Sequence, residues 1–235
     1  NTNPCRAYLL DSNSLIKNLI VVAHVYAHND FFKNNRAYRK TEPRTVENRF
    51  RKYAEAVERH INNPKIGIMK VENAIEAAHS AMYLQTDEGT LLEYILGEAT
   101  WLEPWKREVL EAVRETGQHL AAGIKTKIMN EGWATYWHHR MLRDLKEEIK
   151  SLNRPSYNAN FRGNLFHSGI IRIPDNVKEI NPYRLGFYVW QKIAQDREEQ
   201  ALFEIRENKV DFTFLLDHFC GQYDLIYRWF LRPGF

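Results

Sequence analysis

Apolar residues return at helical intervals along most of this chain, and that period constrains the fold more than any other feature. Leu15-Ile16, Leu19-Ile20, Ala23, Tyr26 and Ala27 mark a first amphipathic helix, which Asp11 or Ser12 can cap. The same reading predicts helices over residues 45–62 and 67–84, then a pair over 106–115 and 118–149 broken near Gly117. Further helix follows over residues 182–195, continued through 202–206, and residues 211–220 read as a last helix or a strand-helix junction. Residues 33–43 read as a basic loop, 85–89 as a turn, and 165–173 as a short strand or extended segment inside an irregular stretch. Strands do not alternate with helices, so a parallel sheet is not expected. The expected class is mainly α, a multi-helix single domain over residues 1–235 with few short strands.

The long helix over 118–149 carries Gly123 and Gly132 in its interior. Each costs about 1 kcal/mol relative to alanine there, so each asks for a reason such as close packing or a ligand. At 235 residues the chain can bury a substantial core. The 33 basic residues against 30 acidic ones leave a charge of only +3, which gives no case for a nucleic-acid partner. No run of about 18 apolar residues occurs, so no membrane-spanning helix is expected, and no signal peptide is evident. Cys5 and Cys220 stand far apart, outside any paired metal motif, which fits free thiols and a cytoplasmic location. The start at Asn1 without a methionine suggests a fragment or core of something longer.

The sharpest chemical signal is His24-Val-Tyr-Ala-His28, followed about a hundred residues on by Asn130-Glu131-Gly132-Trp133-Ala134. Histidines four apart share one face of a helix, near enough for both rings to reach one ion. Glu131 from another helix then completes a two-His, one-carboxylate set with an open position, the ligand pattern of a hydrolytic zinc site. Iron and manganese suit the same donors. Val25 stands where a zinc protease of the His-Glu-x-x-His type keeps its general base. Glu98, Glu103 or Asp30 are the acids left to take that part. Asn29 and Asp30 can also orient the rings by hydrogen bonding.

Glu131, Thr135 and His138 fall on one helical stripe, while His139 faces elsewhere. A glutamate in this position alternatively pairs with Lys127 or Arg140 on a wet face. His138, or His167 in the irregular segment, can stabilise a developing oxyanion. Glu76-Ala-Ala-His79 is one copy of the Glu-x-x-His unit of di-iron bundles, which need two such copies. A di-iron protein on Glu76, His79, Glu131 and His138 is therefore a third reading of the same residues.

Several long segments resemble the stage V sporulation protein R (SpoVR-like) family. They are Asn1-Thr2-Asn3-Pro4-Cys5, HVYAHNDFFKNN at 24–35, AAHSAMYL at 77–84, LEPWKREVLEAVRE at 102–115 and KTKIMNEGWATYWHH at 125–139. The resemblance continues in LFHSGII at 165–171, NPYRLGFYVW at 181–190 and FEIREN at 203–208. It implies a cytoplasmic protein linked to spore cortex formation, lacking an amino-terminal region that longer members carry. Glu131-Gly-Trp-Ala is also similar to a segment of all-helical metallocarboxypeptidase-like proteins, in which that glutamate is the third zinc ligand. The two resemblances together imply a zincin-like helical site. The expected function is a zinc-dependent hydrolase of a peptide or amide bond, with a cell-wall precursor as substrate. A zincin-like interaction protein without catalysis is the alternative.

Overall fold

The computed structural model describes residues 2–39, 41–86, 89–151 and 181–219. The chain is mainly α-helical, and the described residues fall into two compact units. One takes residues from Cys5–Arg39 and Lys125–Phe235; the other takes Thr2–Pro4 and Lys40–Ile124. Among the described residues, no helix is long and apolar enough to cross a membrane.

The second unit holds α2 (Val46–Ile61), α3 (Gly67–Tyr83), α4 (Leu91–Glu98) and α5 (Pro104–Lys125). A two-residue pairing of β1 (Gln85–Thr86) with β2 (Gly89–Thr90) joins α3 to α4. Val71, Ala78, Leu92, Leu96, Val109 and Val113 form its core. Thr90 and Glu93 close a reciprocal capping box at the start of α4. Helix α5 runs straight through Gly117, where a break was expected. An added Cβ there would lie 2.2 Å from the Met82 sulfur, so this glycine makes room for a neighbour and does not stop the helix.

The first unit holds α1 (Leu15–Asn34), a 3-10 turn (Arg36–Tyr38), α6 (Lys127–Ser151), α7 (Pro182–Asp196), α8 (Glu199–Asn208) and α9 (Asp211–Phe219). Helix α1 is capped by Ser14, and it continues through Asn29 and Asp30, where an exit was expected. Both histidines therefore lie within it. Helices α7 and α8 are separate, where one continued helix was expected. Asn35 ends α1 and explains the longer run: its buried amide donates to the carbonyls of Arg206 (2.6 Å) and Lys209 (2.8 Å). Those carbonyls belong to the end of α8, which has no intrahelical donors left for them. The segment over 165–173 lies outside the described residues, as does Cys220.

Helix α6 packs on both α1 and α7. It meets α7 backbone to backbone: an added Cβ on Gly132 would stand 2.3 Å from the Gly186 carbonyl carbon, and one on Gly186 would stand 2.1 Å from the Ile128 oxygen. Backbone cannot move aside as a side-chain tip can, so the crossing tolerates no side chain at either position. Trp133, Trp190 and Phe214 fill the core beside it, with the Trp190 indole N–H donating to the Met129 carbonyl at 2.9 Å. Gly132→Ala should lower stability by about 2 kcal/mol or more through forced helix separation. Gly97→Ala, at an exposed helical position with nothing within 4 Å of the new methyl, should raise it by about 0.5–1 kcal/mol. Chemical denaturation of the two variants checks the contrast.

Candidate metal centre

Two helices of the first unit bring the candidate ligands together. Helix α1 presents His24 and His28 from successive turns, and α6 presents Glu131 opposite them. His24 Nε2 and His28 Nε2 lie 3.0 Å apart. Glu131 Oε2 lies 3.3 Å from His28 Nε2 and 3.8 Å from His24 Nε2. Metal–ligand bonds of about 2.0–2.1 Å at tetrahedral angles place donor atoms about 3.3–3.4 Å from one another, and the three separations bracket that value. Among the described residues this is the one group of three or more histidine, cysteine or carboxylate side chains able to hold a metal ion.

The surroundings prepare these atoms as electron-pair donors. Asn130 Oδ1 accepts from His28 Nδ1 at 2.9 Å, so the His28 proton is on Nδ1 and the Nε2 lone pair faces the centre. His24 Nδ1 lies 3.0 Å from His138 Nδ1; when His24 donates there, its Nε2 is free in the same way. Glu131 Oε2 is buried without a hydrogen-bond partner. Burial alone raises the Glu131 pKa, but the adjacent His24 and His28 rings outweigh it and hold the carboxyl at about 2. A carboxylate so maintained, facing two imidazole lone pairs, is a cluster that a cation completes. The three side chains are 14–18% exposed, open enough for an ion and a small ligand to enter.

The other residues singled out from the sequence have different surroundings. His138 is 1% exposed, set behind His24, and burial followed by charge from His24 holds its pKa at about 3, so its ring is neutral. That position braces a ligand and leaves no surface for a substrate oxygen. Thr135, on the same stripe, donates to the Glu131 carbonyl at 2.7 Å. Arg140 pairs with Glu199 and leaves Glu131 alone. Asp30 accepts from the Trp133 indole at 3.0 Å and lies 3.5 Å from Arg206 Nε. Glu76 and His79 are exposed on α3 in the second unit, to which Glu98 and Glu103 also belong. His167 lies outside the described residues.

Sequence reasoning missed Tyr183, Arg206 and Asp211. The Tyr183 ring stacks 6.1 Å from His24, and burial, then the charge of Glu131, raises its pKa. Asp211, from α9, accepts from the backbone N–H groups of Ile128 and Met129, both at 2.8 Å. It thereby caps α6 from another helix, less than one turn before Glu131. A cap that comes from over eighty positions away leaves no local spacing to read. A cavity of about 230 Å³ opens beside Asp30, walled by Trp133, Trp137, Met141 and Phe203.

The SpoVR like protein family matches residues 1–89 and 80–225, and the chain belongs to that family. A relative, "Uncharacterized protein YcgB" of Escherichia coli (strain K12), is 29% identical over 261 aligned positions covering 83% of this chain and 49% of its own length. The chain thus spans about half the length of that curated relative. No solved structure matches it. Asp211→Ala should cost about 1 kcal/mol of stability by uncovering the start of α6. It should also loosen protection of the amides from Ile128 onward, which hydrogen exchange would read.

Proposed function

We propose that His24, His28 and Glu131 hold one zinc ion and that the protein is a metal-dependent hydrolase of a peptide or amide bond. The observation that carries this reading is the convergence of three donor atoms near tetrahedral-edge separations in a mostly buried but accessible place. Zinc bound by such a set supplies Lewis acidity toward a carbonyl oxygen. The chain's own residues set the conditions: Asn130 fixes the His28 tautomer, His138 backs His24, and Tyr183 lies beside Glu131. The family's link to sporulation makes an amide bond of a cell-wall or spore cortex precursor the natural substrate class.

A second reading has its own support. Val25 offers no base next to His24, and both oxygens of Asp30 are engaged, Oδ1 by Asn34 at 3.0 Å and Oδ2 by Trp133. A protein with the same metal that binds a partner without turning it over accounts for those facts.

Elemental analysis after purification without an affinity tag or chelator, with zinc, iron and manganese all measured, tests the metal. One zinc per chain is expected in the parent, absent from His24→Ala and His28→Ala and reduced in Glu131→Gln. A metal-free parent after reconstitution, or full occupancy in both histidine variants, overturns the assignment. Amide-bond turnover by the zinc-loaded chain, lost in Glu131→Gln, supports the hydrolase. Full occupancy without turnover across muropeptide and dipeptide amides favours the binding protein.

A further inference from the structure

We propose that Asp30 and Trp133 form a tie between α1 and α6 that sets the spacing of the metal ligands, making Asp30 a positioning residue and not the base that activates water. The inference rests on the metal reading above and deepens it. Asp30 follows His28 by two residues, and Trp133 follows Glu131 by two, a rise of about 3 Å along each helix. The 3.0 Å bond from Trp133 Nε1 to Asp30 Oδ2 therefore joins the same two helices within one turn of the place where His28 and Glu131 face each other at 3.3 Å. A change in helix separation at one contact is felt at the other.

The tie is held on both sides. The Trp133 indole is 1% exposed and sits edge to face with Trp190 at 4.8 Å and Phe203 at 5.6 Å. Asp30 is 37% exposed on its side chain, yet Arg206 Nε approaches Oδ2 at 3.5 Å and Asn34 donates to Oδ1. Arg206 is itself fixed. Its guanidinium lies 5.7 Å from the Trp133 ring centre and 5.4 Å from that of Phe203, and its carbonyl accepts from Asn35 at the end of α1. A general base needs a lone pair turned toward the proton it takes, and here each carboxylate oxygen already accepts one hydrogen bond, from the indole or from an amide, with the guanidinium close by. The same engagement suits a group whose work is to keep two helices at one distance. Residues that orient metal ligands from outside the coordination shell typically change affinity by about 10–100-fold when removed.

The experiment compares zinc affinity, by competition with a chromophoric chelator, and the cobalt(II) absorption spectrum in the parent, Trp133→Phe, Asp30→Ala, their double variant and Asp30→Asn. Trp133→Phe and Asp30→Ala should each weaken zinc by about tenfold and shift the cobalt bands. The double variant should be no weaker than the weaker single one, because both remove one bond. Asp30→Asn keeps an acceptor for the indole and should bind within about twofold of the parent. Parental affinity in both single variants, or effects that multiply in the double, overturns the tie. So does Asp30→Asn binding as poorly as Asp30→Ala, or losing amide turnover while its zinc affinity and cobalt spectrum are unchanged. Should Trp133→Phe fail to fold, the contrast between Ala and Asn at position 30 decides. A parent that binds no zinc sinks the metal reading and this inference with it, whereas a zinc-binding parent with indifferent variants sinks the tie alone.

Discussion

Gly132 and Gly186 meet where α6 crosses α7, and the closeness of that crossing fixes much of the first unit. With no Cβ on either side, the two backbones approach until the Ile128 carbonyl and the Gly186 backbone are in contact. Trp190 then reaches the Met129 carbonyl from the same helix pair. Glu131 is the residue before the crossing, so its backbone has almost no freedom to shift. Asp211 fixes the start of α6 a turn earlier, and the Thr135 hydroxyl holds the Glu131 carbonyl a turn later. The most rigid part of α6 is thus the part that carries the acid.

That rigidity bears on a cluster whose electrostatics are unfavourable when left alone. His24, His28 and Glu131 turn lone pairs toward a common point, and the Glu131 oxygen there has no donor. Two imidazole nitrogens at 3.0 Å share one proton or repel. Loosely held side chains would rotate to water; these are restrained by Asn130 on His28, His138 on His24 and Tyr183 beside Glu131. Restraint of unsatisfied donors in one place is the physical mark of preorganisation for a cation, because the rearrangement on binding is small.

Much of this could be read from the sequence where the relevant interaction was local. The four-residue spacing of His24 and His28 placed both rings on one face, and the cost of Gly132 inside a long helix called for a close neighbour, which Gly186 provides. The stripe of Glu131, Thr135 and His138 also appears as expected. What escaped came from tertiary partners. Gly117 looks like a break but faces Met82 within its own unit. Asp30 looks like a free acid near the ligands, and only the fold reveals that Arg206 and Trp133 take it. The extension of α1 past Asn29 depends on Asn35, whose amide ends α8, over 170 positions away.

The contrast between the two halves of the site bears on its chemistry. Everything needed to hold an ion is duplicated, with a ligand and a second residue that orients it. Among the described residues nothing comparable serves a proton transfer: Val25 is apolar, Asp30 is engaged, and the ring of His138 is buried behind His24. Among the described residues, the ionisable groups left beside the ligands for a proton transfer are Glu131 itself and Tyr183. Of these, Tyr183 alone approaches from a third helix, on the α7 side that the Gly132 crossing presses against the ligands. A substrate carrying its own basic group would remove the need for a protein base. The case that the centre binds a metal rests on its three ligands and does not depend on which group moves the proton.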